Sequence, residues 1–494
     1  MQRLKHYIPL AAWLVVILTL LLIPAKIISY GYLPMDDALR HAAKVVSGKT
    51  WPEILIMRGD FTLDPHPGWH AILGVVHSWQ DCSAESLVVV SIFGLMVLVS
   101  VAVLPWLRWP EAWLGALLVV AICVPVFIPR LAMGRPYIFT MAVYLALLVI
   151  WSRPVNRRPN LWEAGSTVLM IAAAAWIHGS FYQLVLPAAG ILFAGRWRQA
   201  FWYGGCWALG SFLGASLTGH PWTFLFQCVE HLFGVFGDYT LNRQLVKEFY
   251  PSDGDAAMVL AVFAMLIWRS RSPGWSAREL LEPIFVMGVL GWVLGLHMRR
   301  FWWDWGLPAT VLWLTLQFQR QFETWLLPDS IKRLAICGGL AAGLYFAVTS
   351  DRDSRWTWNL TNEYLTEDNP ALEGWLPEKG GIIYSADMRV FFDTFFKNPK
   401  APWRYVLGFE PGLMRPEDLA VMRKVHWNYG DVRAYQPWID KMTPKDRLII
   451  RSSWLQTVGA PPIPALEWRY AVRELWVGRL RQTTNAAPAA AQSK

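Results

Sequence analysis

Charge is scarce in this 494-residue chain: Asp, Glu, Lys and Arg together make up 16% of it. A soluble enzyme of that length carries about 25%, so the composition excludes an ordinary soluble globular protein. Cysteine is scarce as well. The 5 residues stand singly at Cys82, Cys123, Cys206, Cys228 and Cys337, with no CxxC and no Cys/His spacing of a zinc module. One disulfide, between Cys82 and Cys228, is the only pairing that the expected topology would place on a common side. No Gly-rich phosphate loop is present, which argues against a nucleotide-binding domain. No internal repeat occurs. No small-x-small cleavage site follows the first apolar run, so that run is expected to be an uncleaved anchor rather than a signal peptide.

What is abundant is apolar surface. Hydrophobic residues make up 55% of the chain, and the mean hydropathy is +0.30. Trp, at 31 copies, gathers where apolar runs end, as interfacial Trp does. The first run, Ile8–Ile28, is long enough to span a bilayer. Further apolar segments fall near 84–104, 111–128, 136–151, 164–177, 180–194, 201–217, 256–268, 280–296, 305–319 and 333–349. The pattern predicts a polytopic α-helical membrane protein of about eleven transmembrane helices. With the N-terminus inside, 14 Lys and Arg residues fall in inner segments, among them Arg3, Lys5, Arg157 and Arg158. The short outer loops then hold only Arg130, Arg135, Arg299 and Arg300. That bias fixes the expected orientation and accounts for the net charge of +9 without a nucleic-acid partner. The inner loops SRPVNRRPN, GRWRQ and RSRSPGWSARE read as solvated basic connectors.

The expected organisation is a membrane domain over residues 1–350, with a first outer loop at 29–83, then a small external domain at 351–482 and a disordered tail at 483–494. In the external domain GGIIYSAD, WRYVLGFE and DRLIIRSS read as short strands. MRVFFDTFFKN and PEDLAVMRKVHWNY read as helices, giving an α/β fold.

The outer loops hold the chemistry. Asp36 and Asp37 open an amphipathic helical pattern, Asp36 to Ser47, just after the first apolar run. Their i,i+4 spacing sets Asp36 beside Arg40 and Asp37 beside His41. A carboxylate pair at a membrane surface is a candidate general base; as a bland alternative, Asp in a first helical turn stabilises the helix by ~0.3–1 kcal/mol. In DPHPGWH, from Asp64 to His70, His66 and His70 have the i,i+4 spacing of a metal pair, but no third ligand is evident. The plainer reading is a Pro-defined turn with a Trp anchor. Arg130, Arg135, Arg299 and Arg300 run against the positive-inside bias. A bidentate guanidinium is suited to a phosphate, although a lone arginine could equally contact lipid headgroups. His178 ends a span at a tight turn. Glu248, in the long loop from Thr218 to Asp255, has Lys247 or Arg243 as its nearest candidate partners.

With those residues in view, the chain resembles the GT-C superfamily of membrane glycosyltransferases, nearest to the protein O-mannosyltransferases and the lipid A aminoarabinose transferases. MDDALRHA matches their acid pair after the first span, and DPHPGWH looks like their Pro-rich stretch, with Gly68 in place of the second proline. PRLAMGRP and MRRFW look like their outer arginine segments. The resemblance implies an inverting transfer of sugar from a polyprenyl-phosphate-linked donor to a lipid, glycan or protein acceptor on the external, periplasmic side of a bacterial inner membrane. It implies Asp36 as the base with Asp37 as its partner. Arg299 and Arg300, with Arg130 or Arg135, would bind the donor phosphate, and Arg40, His66, His70, His178 and Glu248 would support them. Trp51, Trp69, Trp222 and Trp302 are expected to be exposed faces for a sugar. No cofactor is implied, and a divalent metal is not indicated. The alternatives are a flippase or transporter of lipid-linked sugars, which needs no base, and a non-catalytic membrane subunit.

Overall fold

The computed structural model describes residues 7–153, 159–237, 247–272, 274–455, 459–472 and 474–481. Arg3, Lys5, Arg157, Arg158, Arg243 and the tail at 483–494 lie outside them. The chain forms two compact units. One comprises Met1–Ala42 and Leu63–Thr361, the other Ala43–Thr62 and Asn362–Lys494. The second unit thus takes in part of the segment expected as the first outer loop as well as the C-terminal region.

Each of the eleven apolar segments of the first unit is helical. Among the described residues three, Ile8–Ser29, Ala84–Trp106 and Ile331–Thr349, are long and apolar enough to cross a membrane. Glu111–Cys123, Tyr137–Ser152, Phe181–Phe193, Ala256–Ser270 and Pro283–Gly295 are shorter apolar helices. Leu161–His178, Trp197–Ser216 and Leu307–Trp325 complete the set. The Thr218–Asp255 segment is not the plain loop expected, because it contains the helix Pro221–Gly237. In RSRSPGWSARE, expected to be a plain solvated connector, Arg269 is buried, and basic side chains near the ends of neighbouring helices are likewise paired. Arg333 is buried against Glu111 at 2.6 Å. Arg320 binds Glu279 at 2.6 Å and Glu282 at 2.7 Å, and Arg269 donates to Gln317 at 3.0 Å. A buried guanidinium needs such partners, since its desolvation is not otherwise offset. All five cysteines are free, so Cys82 and Cys228 form no disulfide.

Two glycines set the first-loop helix Pro67–Gln80 against Leu161–His178. A Cβ on Gly68 would lie 2.6 Å from the Trp176 ring and 2.9 Å from its carbonyl oxygen. This is why glycine stands where the resembling pattern has proline. Gly179 caps Leu161–His178 at φ +66°, and a Cβ there would meet the Pro65 carbonyl oxygen at 2.6 Å. The close approach brings His66 and His178 together.

In the second unit the sheet order is β2-β1-β3-β5-β4, with β1 Ile382–Tyr384, β2 Arg404–Tyr405, β3 Arg447–Arg451, β4 Leu466–Tyr470 and β5 Leu475–Leu480. Strand β1 runs parallel to β2 and β3, while β5 is antiparallel to β3 and β4. Helix Met388–Lys397 buries Phe391 and Phe395 in its core. Trp51, Ile54 and Leu55 enter the same core, and the Ile56 N–H donates to the Tyr405 carbonyl at 2.8 Å.

Candidate active site

The acid pair sits where one helix ends and another begins. Pro34 follows Ile8–Ser29, and the next helix starts at Asp37 rather than Asp36. That one-residue offset changes the pairings expected from i,i+4 spacing. Asp37 accepts from Arg40 Nε at 2.7 Å, one turn on. Asp36, outside the helix, turns its Oδ1 to the Asp37 N–H at 2.5 Å and its Oδ2 to Arg135 Nη2. His41 meets His70 instead of Asp37.

From Arg135 the contacts continue as a chain of ion pairs. Its Nη1 lies 2.7 Å from Glu248 Oε1 and its Nε 3.7 Å from Asp37 Oδ2. Arg130 Nη1 reaches the same Glu248 oxygen at 2.6 Å, while its Nε and Nη2 bind Asp304 Oδ1 at 2.9 and 2.6 Å. Arg300 Nε meets Asp304 Oδ2 at 3.2 Å. Four carboxylates and four guanidiniums therefore interlock, with Arg40 at one end and Arg300 at the other. The partners of Glu248 are the two outer-loop arginines rather than a neighbour in its own segment. Arg130 and Arg135 leave the short helix Phe127–Leu131 and the turn before Tyr137–Ser152. Asp304 lies in Trp302–Gly306, a single π turn. Such a turn adds a residue to the helix and re-aims the side chain it carries. Arg130 is flanked by Tyr137, 4.9 Å from its guanidinium to the ring centre, and by Trp303 at 5.5 Å. Arg299 stands outside the chain of pairs, 3.3 Å from the exposed Asp253 and 5.0 Å from the Trp303 ring.

The network divides the two aspartates. Burial pushes the Asp36 carboxyl above the usual carboxylate range; Arg135 opposes that shift, and the neighbouring Asp37 adds to it. Burial acts on Asp37 as well, but Arg40 and Arg135 outweigh it and hold that carboxyl below its usual range. Glu248 is held well below its range, because Arg130, Arg135 and Arg300 together overcome its burial. Of the three carboxyls, Asp36 alone is shifted toward the protonated form, while Asp37 and Glu248 are shifted toward the ionised one.

A second group adjoins the first across Tyr137, whose ring centre is 6.3 Å from that of His178. His178 Nδ1 lies 3.2 Å from Thr140 Oγ1. Its ring is 5.4 Å from that of His66, which is 4.8 Å from that of His41. His41 Nδ1 is 2.8 Å from His70 Nε2, and His70 Nδ1 is 2.5 Å from Asp64 Oδ2. Among the described residues no three His, Cys, Asp or Glu side chains are placed to hold a metal ion.

The structure thus gathers Asp36, Asp37, Arg40, Arg130, Arg135, Glu248 and Arg300 into one group and His66, His70 and His178 into another, with Arg299 beside the first. Sequence reasoning missed three members. Asp304 stands four residues after Arg300, which was the signal for it. Asp64 opens DPHPGWH, and His41 was taken only as a helix neighbour of Asp37. Of the four tryptophans expected to be exposed, Trp51, Trp69 and Trp302 are buried, at 4, 6 and 2% exposure, and only Trp222 is open, at 63%. Trp302 donates to Asp255 at 2.5 Å and orders the loop rather than offering a sugar face.

No protein-family model and no curated protein sequence matches the chain. Solved structures do. The Archaeoglobus fulgidus oligosaccharyltransferase, tethered with an acceptor peptide containing the NVT sequon, aligns with a TM-score of 0.52 at 11% identity. It covers 92% of this chain and 70% of its own. The arabinofuranosyltransferase AftD from mycobacteria aligns with a TM-score of 0.50 at 15% identity over 96% of this chain, which spans 40% of that longer protein. At these identities the likeness concerns the fold alone, which the chain shares with these two structures.

Proposed function

We propose that this chain is a membrane glycosyltransferase that moves a sugar from a polyprenyl-phosphate donor to a hydroxyl acceptor with inversion, Asp36 acting as general base. One observation carries the reading. The part-buried Asp36 carboxylate and the part-exposed Arg300 are joined by an unbroken run of ion pairs through Arg135, Glu248, Arg130 and Asp304. Arg130 has all three guanidinium nitrogens committed to carboxylates, so its part is to position Glu248 and Asp304. Arg300 is 31% exposed at its side chain, and among the described residues neither of its Nη groups has a hydrogen-bond partner. Arg300, with Arg299 beside it, is thus suited to receive a phosphate in bidentate fashion.

In the transfer, Asp36 takes the proton of the acceptor hydroxyl as its oxygen attacks the anomeric carbon. The bond from that carbon to the phosphate oxygen breaks on the opposite face, and the phosphate departs with the electron pair toward Arg300. A raised pKa makes Asp36 a stronger base than an ordinary aspartate. The Lys and Arg bias supports an external site, on the periplasmic face if the source is bacterial.

Full-length protein in liposomes, given polyprenyl phosphate carrying a radiolabelled sugar and a membrane extract as acceptor source, tests the reading. Label should leave the lipid, and bare polyprenyl phosphate should accumulate in proportion to enzyme. A flippase would move the lipid between leaflets with the label still attached, and that result would overturn the proposal.

A further inference from the structure

The histidine group is built more carefully than a packing role requires. Asp64 uses both carboxylate oxygens locally: Oδ1 accepts the His66 backbone N–H at 3.0 Å and Oδ2 faces His70 Nδ1 at 2.5 Å. A carboxylate only accepts, so His70 carries its proton on Nδ1. When His70 is neutral its Nε2 accepts, and the nitrogen it faces, His41 Nδ1, carries the proton. In that state the lone pair of His41 lies on Nε2. Among the described residues that atom is fully buried and has no hydrogen-bond partner, as is also true of His66 Nδ1. His41 itself is 0% exposed and His66 9%. An unmet polar atom at such depth costs the fold about 1–3 kcal/mol, so two of them in adjoining rings point to a ligand.

We propose that His41 Nε2, with His66 Nδ1 beside it, is a sugar-hydroxyl subsite, and that Asp64 and His70 are positioning residues that fix the His41 tautomer. The inference rests on the transferase reading and adds to it the groups that recognise the sugar. Its ligand must donate a hydrogen bond to His41 Nε2. Burial, and then Arg40, hold His41 and His66 well below the usual histidine range, so both rings stay neutral. A transition metal is disfavoured because no third ligand is in place. A sugar fits, because its hydroxyls are neutral donors. The position fits as well: His41 follows Asp37 by one helical turn, so a sugar reacting at Asp36 lies along the same helix.

The test is binding to full-length protein in detergent micelles with three probes: bare polyprenyl phosphate, the same lipid carrying a sugar, and free methyl glycosides. His41→Asn keeps an N–H toward His70 and removes the Nε2 acceptor. It should weaken sugar-lipid binding about tenfold, the worth of one such hydrogen bond, and leave the bare lipid and the melting temperature unchanged. His70→Asn keeps the contact to Asp64 but frees the His41 tautomer. It should cost severalfold on the same probe, and it carries the test if His41→Asn fails to fold. A loss on the sugar-lipid assigns the subsite to the donor's sugar, and a loss confined to the methyl glycosides assigns it to the acceptor's. Equal affinity of the His41→Asn and wild-type proteins for every sugar probe overturns the inference while leaving the transferase reading intact. A stoichiometric metal bound in the purified protein overturns it too. If wild type binds neither lipid, the transferase reading itself fails.

Discussion

Asp36→Asn should reduce turnover of the labelled donor by about 10²–10⁴-fold, the usual cost of losing a general base, without lowering the melting temperature. The stability side follows from the direction of its pKa. A carboxyl whose folded pKa is raised favours the fold most when protonated, below its unfolded value. That contribution is lost as pH rises through the folded value. At neutral pH the ionised Asp36 is therefore a net burden on the fold, and a neutral amide relieves it. Arg135 keeps Glu248 at 2.7 Å and Asp37 at 3.7 Å, so it is not stranded. The capping role also loses little, because the backbone N–H that the Asp36 side chain accepts is that of the adjacent Asp37 rather than that of the second or third helical residue. In wild type the rate should rise with pH through an acidic limb set above the ordinary aspartate range, and the variant's residual rate should lack that limb. A variant that melts early yet turns over normally per folded molecule would make Asp36 structural. Asp37→Asn would then be the next candidate for the base.

Arg130→Met should be the most destabilising single change in the site, at roughly 3–5 kcal/mol, because it leaves buried carboxylates short of compensation. Asp304, only 3% exposed at its side chain, would keep Arg300 at 3.2 Å and lose two contacts at 2.6 and 2.9 Å. Glu248 would keep Arg135 alone of its two close partners. The double change Arg130→Met with Asp304→Leu removes one charge of each sign. It should recover much of the loss, as replacement of whole buried pairs by apolar groups commonly does. Thermal unfolding in detergent measures both. Near-equal melting of wild type and the single variant would mean that the pairs are not desolvated as their geometry indicates.

The parts of this fold that could be read in advance are those written in local pattern. The eleven apolar segments are all helices, and the strands and helices of GGIIYSAD, MRVFFDTFFKN, WRYVLGFE and DRLIIRSS stand where their alternation and amphipathicity put them. The acid pair and the outer arginines were legible because they break patterns: carboxylates at the end of an apolar run, positive charge on the wrong side. What stayed hidden depends on contacts far apart in sequence. Arg130 meets Glu248 across 118 residues and Asp304 across 174, distances at which spacing carries no information. The same holds for Trp51 and Leu55, whose helical turn joins the core of a unit made mostly of residues beyond 361. The hairpin of β4 and β5 was missed because LEWRY and LWVGRL mix charge into their apolar alternation. From sequence Trp302 reads as an exposed face for a sugar, and only its burial and its bond to Asp255 show otherwise.

The central claim is that Asp36 and Arg300 serve one reaction. It is tested most directly by an experimental structure of the full-length protein with bound polyprenyl phosphate. The phosphate should lie within hydrogen-bond distance of the Arg300 guanidinium, with the anomeric position of an attached sugar on the side of Asp36. A headgroup bound away from Arg300, with the run of ion pairs from Asp36 to Arg300 facing no ligand, would contradict the account.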